Sequence, residues 1–287
     1  MSQCTNESKD AWNMIIKPKT GWFDIDLKEI WRYRNLIGMF VKRDFVTFYK
    51  QTILGPLWYI IQPLFTTLVF TIIFGKVAKI PTDTIPPFLF YMSGNVMWAY
   101  FNDSFKLTSD TFNANAKIFG KVYFPRMTVP IAVVIITLLQ FLIQFVLFLG
   151  FYFYFYLKGS PLNFSISLIF LPLLLIQMAL FSLGAGMIIS SLTTKYKDLR
   201  FAIGFILQLW MYATPVVYPL TQVPDWLRPY YVLNPMVSVV ECFRYMFFGQ
   251  SAIEMEYIFV SCAITTLILI AGIILFCRVE KTFMDTV

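Results

Sequence analysis

The sequence contains no histidine, and this absence excludes several kinds of chemistry. A Ser-His-Asp or Cys-His nucleophile system, a histidine proton relay and a histidine-ligated metal site all need an imidazole. The four cysteines, Cys4, Cys242, Cys262 and Cys277, are far apart, so they form neither a CxxC redox pair nor a zinc cluster. A GxxxxGK[ST] phosphate loop is also absent, so any ATP must be bound by another chain. The sequence therefore predicts no catalytic residues, no metal site and no cofactor of its own.

Charge is scarce as well. Only 14% of the 287 residues are charged, and 58% are hydrophobic, whereas about 25% of an average soluble domain is charged. A soluble protein of this length cannot bury so much apolar surface, because its own surface needs polar cover. The composition therefore predicts an integral membrane protein.

The apolar residues are concentrated in six runs that contain no Asp, Glu, Lys or Arg. A helix needs about 20 apolar residues to cross a bilayer, so each run predicts one transmembrane helix of an all-α protein. The runs are residues 51–75, 84–102, 127–157, 159–194, 201–224 and 257–277. We expect residues 1–50 to form a cytoplasmic N-terminal segment and residues 51–287 to form the membrane domain.

The positions of the basic residues predict the orientation. Most of the 23 Lys and Arg residues precede the first run, separate runs two from three and four from five, or follow the sixth. Only Lys76, Lys79, Lys158, Arg228 and Arg244 fall on the other side. Since Lys and Arg accumulate in cytoplasmic loops, both termini are predicted to be cytoplasmic. The net charge of +7 mostly reflects this bias, so no nucleic-acid partner is predicted.

Residues 26–50 have the pattern of an amphipathic helix at the cytoplasmic membrane surface. Apolar residues recur at helical spacing, and interspersed Lys and Arg favour anionic lipid headgroups. Gly38 is a candidate break point. The pattern fits a plain membrane anchor or a helix that transmits force from a partner.

Two segments between the runs have patterns of their own. In the cytoplasmic loop, Ile118, Phe119, Val122 and Phe124 give a short apolar face, which docks on a partner, on lipid or on the rest of the chain. On the outer side, Asn234-Pro235 begins and Gly249 ends a predicted helix of about 14 residues, too short to span. We therefore predict a re-entrant helical hairpin between spans five and six.

Charged and aromatic residues mark candidate sites. Glu241 and Arg244 are three residues apart on the predicted outer helix, where an ion pair serves either function or stability. Aromatic residues gather near the ends of the spans, among them Trp58, Tyr59, Trp210 and Tyr212. They belong either to the interfacial belt of a membrane protein or to a path on which sugar rings stack.

Several strings resemble those of a known family. Residues 42–58, followed by Gln62-Pro63, resemble the start of the first span in permeases of polysaccharide-exporting ABC transporters. Residues 117–126 and 195–200 resemble two cytoplasmic loops of the same permeases. Asn234-Pro235-Met236, with Glu241, Arg244 and Gly249, resembles their outer hairpin. The similarity extends from about residue 21 onward. The region from Gly21-Trp22 to Glu29-Ile30-Trp31 looks most like the O-antigen branch.

This resemblance implies a transport subunit of the bacterial inner membrane. The chain would pair with a second copy of itself and with two copies of a separate ATPase, which would bind ATP and Mg²⁺. The substrate would be a polysaccharide linked to undecaprenyl diphosphate.

The resemblance also implies roles for individual residues. The coupling helix on the ATPase would include Asn115, Lys117, Ile118, Phe119 and Lys121. The channel wall would include Trp58, Tyr59, Trp210 and Tyr212, and the outer gate would include Asn234, Glu241 and Arg244. Arg43 and Lys50 are candidates to attract the lipid diphosphate, although both also fit ordinary cytoplasmic charge.

Three other functions are weighed against this one. A drug- or small-lipid-exporting ABC permease would share the same layout. A membrane enzyme acting on a lipid-linked substrate would need acids, bases or a metal, and the lack of histidine disfavours it. An ion-coupled transporter is disfavoured because the runs contain no charged residue.

Overall fold

The computed structural model describes residues 27–50, 55–160, 166–249 and 255–286, and every regular element in these ranges is helical. The all-α prediction is confirmed for this part of the chain. The helices are α1 (Leu27–Arg32), α2 (Arg34–Lys50), α3 (Trp58–Phe70), α4 (Pro87–Ser109), α5 (Thr111–Phe119), α6 (Thr128–Leu157), α7 (Leu171–Thr193), α8 (Leu199–Tyr212), α9 (Arg228–Val232), α10 (Pro235–Phe248) and α11 (Met255–Thr286). Short 3-10 turns cover Gly55–Leu57, Ile166–Phe170 and Leu220–Gln222, and a π-helical segment, Thr71–Val77, extends α3.

Four helical segments are long and apolar enough to cross a membrane. They are Trp58–Val77, Thr128–Leu157, Ile166–Thr193 and Met255–Lys281. They correspond to the first, third, fourth and sixth predicted runs, which supports an integral membrane protein. The second and fifth runs also form helices, α4 and α8, although α8 has only 14 residues. The boundary between residues 50 and 51 remains a prediction, since residues 1–26 and 51–54 lie outside the described part.

Helix α4 lies at the centre of the bundle. It packs against α3, α6, α7, α8 and α10, and all residues from Leu89 to Trp98 are buried. This helix is less apolar than its neighbours because it faces protein rather than lipid, so Ser and Asn side chains find partners there. One such contact joins it to α7, where Ser104 Oγ and Ser182 Oγ are 2.9 Å apart.

Glycine lets α7 approach two neighbouring helices closely. A Cβ added to Gly184 of α7 would lie 2.6 Å from Leu269 Cα of α11, and one added to Gly272 would clash with the Gly184 backbone. On another side of α7, a Cβ on Gly186 would lie 2.6 Å from the Thr108 side chain of α4. Small residues are used in this way where membrane helices cross without bulky side chains between them.

The N-terminal helices pack across one end of the bundle. Ile30, Tyr33, Leu36 and Phe40 face a cluster formed by α5, the start of α6, α7 and the last turns of α11, while Trp31 is 71% exposed. This two-sided character fits the predicted amphipathic helix. The expected break at Gly38 is wrong, because the helix is interrupted at Tyr33 and runs through Gly38. A single glycine within a packed helix costs only about 1 kcal/mol.

The crossing of α7 and α11 predicts a stability difference between glycine positions. Gly272→Ala is expected to lower the free energy of unfolding by about 1–3 kcal/mol, because its methyl group overlaps the α7 backbone. Gly150→Ala in α6 is the matched control, since nothing lies within 4 Å of its added Cβ. The measurement is the fraction of detergent-purified protein that stays monodisperse on size-exclusion chromatography after heating. Equal melting midpoints for the two variants would contradict the close crossing.

Candidate functional site

Helix α5 is the core of the first candidate site, at the end of the bundle where the N-terminal helices lie. It is tied to itself and to α4 by local bonds: Thr111 Oγ1 donates to the Thr108 carbonyl at 2.7 Å, and Asn115 Nδ2 donates to the Thr111 carbonyl at 3.0 Å. Phe112 is fully buried, and its ring stacks on Phe276 of α11 with centroids 4.5 Å apart. The inner face of this short helix is therefore fixed to the bundle.

Part of the apolar face predicted for this loop packs within the chain. Phe119 and Phe124 are buried against each other, with ring centroids 5.7 Å apart. Of the alternatives for this face, docking on the rest of the chain therefore holds for these two rings. The residues on the outside are Lys117, Lys121 and Val122, and Tyr123 is 53% exposed. Sequence reasoning did not single out Tyr123, because it lies after the end of α5, where no helical periodicity separates an inner face from an outer one.

Two long-range contacts attach the segment around α5 to α8 and α11. The Arg126 amide N donates to Glu280 Oε1 at 3.0 Å, and the Arg126 guanidinium donates to the Glu280 carbonyl and lies 5.5 Å from the centre of the Phe119 ring. Arg200 Nη2 at the start of α8 pairs with Asp110 Oδ2 at 3.0 Å. Burial lowers the pKa of Arg126, although the nearby Glu280 opposes this shift. An arginine remains charged in proteins, so the Arg200–Asp110 contact is an ion pair, and the Arg126 contacts are hydrogen bonds that each include one backbone group.

The candidates for diphosphate binding have different surroundings. Arg43 Nε pairs with Asp44 Oδ1 at 2.7 Å, and its guanidinium lies 4.9 Å from the centre of the Phe40 ring. Its charge is thus partly balanced within the chain. The side chain of Lys50 lies outside the described residues.

The four predicted channel aromatics belong to two helices. Trp58 and Tyr59 begin α3, and Trp210 and Tyr212 lie in the last turn of α8. Trp58 and Tyr212 are about half exposed, and the Tyr59 hydroxyl accepts a hydrogen bond from Gln140 of α6.

Trp210 is the least available of these aromatics, because its ring is surrounded by three phenylalanines. Its ring centroid is 5.1 Å from Phe101, 5.8 Å from Phe181 and 6.1 Å from Phe105. These edge-to-face pairs stabilise the interior of the protomer.

The second candidate site lies at the other end, around α10. The bounds of this 14-residue helix, Pro235–Phe248, match the prediction. Asn234 Oδ1 accepts from the Met236 amide at 3.1 Å, and Asn234 Nδ2 donates to Thr214 Oγ1 at 3.0 Å. Gly249 ends the helix with a φ of 71°, a conformation that glycine adopts without strain. Asn234 therefore both caps α10 and connects it to the segment after α8.

Arg244 joins α10 to two further elements. Its side chain is 2% exposed and pairs with Glu241 Oε1 at 3.1 Å. Its Nη2 donates to the Val216 carbonyl at 3.0 Å, and its guanidinium lies 3.8 Å from the centre of the Phe90 ring of α4. Gly94 of α4 makes room for this arrangement, because a Cβ there would lie 2.8 Å from the Val216 carbonyl. Glu241 and Arg244 thus form an ion pair, as their spacing predicted, and the pair is buried.

The region of the chain that matches a known protein family includes both candidate sites. Residues 35–248, from α2 to the end of α10, match the profile of the ABC-2 type transporter family. The chain belongs to the ABC-2 type transporter family. This assignment agrees with the resemblance found in the sequence, and it includes α5, Arg126, Asn234 and the Glu241–Arg244 pair within the matched region.

Among curated proteins, the relatives of this ABC-2 chain are export permeases. The O-antigen export system permease of Myxococcus xanthus is 27% identical over 266 residues, covering 91% of this chain and 98% of that protein. One from Klebsiella pneumoniae is 27% identical over 256 residues, covering 88% and 94%. The capsule polysaccharide export inner-membrane protein of Neisseria meningitidis serogroup A is 22% identical over 256 residues, covering 86% and 92%.

The buried pair of this ABC-2 chain predicts a strongly non-additive pair of substitutions. Arg244→Met should lower the free energy of unfolding by about 3–5 kcal/mol, because Glu241 would stay buried without its partner. The double variant Arg244→Met/Glu241→Leu should recover most of this loss, since no charge then remains buried. Thermal melting of the purified protein measures both changes.

Arg228 provides the matched control for this experiment. It pairs with Asp225, whose side chain is 91% exposed, so Arg228→Met should cost about 1 kcal/mol or less. A double variant no more stable than Arg244→Met alone would show that the pair is not the source of the effect.

Proposed function

We propose that this chain is the membrane subunit of an ATP-driven exporter that moves an O-antigen-like polysaccharide across the bacterial inner membrane. The observation that carries the proposal is the family match over residues 35–248 together with full-length relatives named as O-antigen export permeases. The substrate is a glycan linked to undecaprenyl diphosphate, as the sequence resemblance implies. The chain itself carries out no chemistry on it.

ATP hydrolysis is assigned to a separate ATPase subunit, present in two copies that bind ATP and Mg²⁺. The absence of a phosphate loop in the sequence supports this division of labour. Helix α5 and the turn after it are the proposed contact, with Lys117 of the helix and Lys121 and Tyr123 of the turn as the exposed residues offered to the ATPase. Ile118 and Phe119 hold the helix to the chain, and Asn115 bonds within the helix to the Thr111 carbonyl.

The proposed topology has six spans with both termini in the cytoplasm. It is supported by two groups of contacts at opposite ends of α6, a 30-residue helix about 45 Å long. The group at its start includes α1, α2, α5 and the end of α11. The group at the other end includes α10 and the segment that follows α8. Together these two parts form the proposed outer hairpin. The hairpin residues Asn234, Glu241 and Arg244 hold this outer gate in place.

The channel forms between two copies of the chain. Helices α3 and α8 each keep an exposed apolar side, with Phe65 at 66%, Phe201 at 86% and Phe205 at 64% exposure. In the proposed exporter these sides meet lipid or the second copy, and Trp58 and Tyr212 offer ring faces to passing sugars. Arg43 and Lys50 attract the diphosphate at the cytoplasmic mouth. ATP binding moves α5 and tilts the two copies apart, and the polymer advances with each cycle.

Charge reversal at α5 tests the contact with the ATPase. Lys117→Glu/Lys121→Glu should reduce copurification of the ATPase at least tenfold and abolish export, because it reverses two charges at the proposed contact. Both residues are exposed, so their replacement leaves the packing of the chain intact. The readouts are the ATPase recovered with tagged permease in mild detergent and the polysaccharide detected on the cell surface.

Lys158→Glu is the control for this experiment, because Lys158 is exposed at the far end of α6. It should retain both the ATPase and export. If the double variant exports polysaccharide normally, the proposed contact is wrong. If the wild-type chain does not restore surface polysaccharide to a strain that lacks its gene, the proposed function is wrong.

A labelling experiment tests the topology. In a chain with its four cysteines replaced, a new cysteine at Lys158 or Trp226 should react with a membrane-impermeant maleimide in spheroplasts. A cysteine at Lys121 or Lys195 should react only after the membrane is opened. Labelling of all four positions from outside would contradict the proposed sidedness.

A further inference from the structure

A cavity of about 390 Å³ lies beside α10 at the proposed outer end of the bundle. Its floor is buried and contains the Glu241–Arg244 pair beside Phe90, whereas its rim is exposed and includes Asp83, Thr221 and Tyr245. Pockets of about 300–1,000 Å³ with a few polar groups in fixed positions are typical of small-ligand sites. The size is sufficient for a single hexose ring.

The charges that line the cavity limit which chemical classes of ligand can bind there. Glu241 and Arg244 balance each other, so Asp83 leaves an excess negative charge that disfavours phosphate and other anions. A divalent cation is also disfavoured, because the guanidinium repels it and Ca²⁺ needs six to eight oxygen ligands. An alkyl chain would give no hydrogen-bond acceptor to Arg244 Nε, which has none among the described residues. The ligand class that these charges favour is a neutral molecule rich in hydroxyl groups.

The polar groups of the cavity suit such a ligand. Carboxylate oxygens of Asp83 and Glu241 accept from hydroxyl groups, and Thr221 and Tyr245 both donate and accept. Arg244 Nε has no hydrogen-bond acceptor among the described residues, so the guanidinium has not used all its donors. The Tyr245 ring, 45% exposed at the rim, offers an apolar face to the C–H face of a sugar.

The position of Asp83 requires an unusual backbone conformation. Its φ is 53°, in the left-handed region that only Asn, Asp and Gly adopt readily. The loop between α3 and α4 therefore places a carboxylate at the rim at a conformational cost. Such conformations concentrate at binding sites, where the surrounding structure maintains them.

We propose that this cavity binds one sugar residue of the polysaccharide after it has crossed the membrane. The inference rests on the proposed export function and adds to it a binding site on the outer side of each protomer. The site recognises a neutral hexose through Asp83, Tyr245 and the buried Glu241–Arg244 pair.

Saturation-transfer NMR on the full-length protein in detergent tests the site directly. The probes are the individual monosaccharides released by hydrolysis of the host's surface polysaccharide. At least one neutral sugar should receive saturation from the wild-type protein. Asp83→Asn and Tyr245→Ala should each reduce this signal at least fivefold. Asn tolerates the same backbone conformation as Asp, and both positions are exposed, so the variants should fold.

Two matched substitutions outside the cavity serve as controls. Asp225→Asn and Tyr230→Ala alter exposed outer residues that do not line the cavity, and both should keep the wild-type signal. The inference is overturned if no sugar receives saturation, if the controls lose the signal as the cavity variants do, or if Ca²⁺ binds there and no sugar does. Restoration of surface polysaccharide by the wild-type chain is scored separately, so the export function can stand when this site fails.

Discussion

The constraint on which this structure depends is the lack of water inside a bilayer. Every backbone amide and carbonyl in the membrane must be paired within the protein, and helices satisfy this requirement. Polar side chains meet the same demand, and they collect on α4, which is enclosed by other helices. Ser104 with Ser182 is a contact of this kind. The apolar sides of α3 and α8 are exposed.

The two ends of the bundle are held together by different interactions. At the α5 end, aromatic rings, the Arg126–Glu280 hydrogen bonds and the Arg200–Asp110 ion pair fix a short helix, and Lys117 and Lys121 are exposed in and just after it. At the α10 end, one buried guanidinium joins three elements that are distant in sequence. A buried ion pair adds little stability compared with well-packed apolar residues. The Glu241–Arg244 pair is therefore better explained by its joining of α10 to α4 and to the segment after α8 than by stability alone.

Local signals in the sequence identified some features well. Asn234-Pro235 and Gly249 specify the bounds of α10, because caps act through their own neighbours, and a charge-free run is visible without knowledge of its partners. Other features depend on residues far apart in the chain. The burial of Phe112 depends on its stacking with Phe276 of α11, and Trp210 is enclosed by rings from α4 and α7. Neither these contacts nor the Arg126–Glu280 attachment leaves a local pattern, so the sequence alone left open whether the apolar face of this loop docks on a partner, on lipid or on the rest of the chain.

The attachment of Arg126 to Glu280 has a consequence for the order of biosynthesis. The two residues are separated by 154 positions, which a ribosome working at 5–20 residues per second takes about 8 to 30 s to translate. During this interval α5 exists without the α11 residues against which it packs. The surface proposed for the ATPase is therefore completed only after α11 has been made. A partner that needs α5 in its final position would thus distinguish a finished permease from one that is still being inserted.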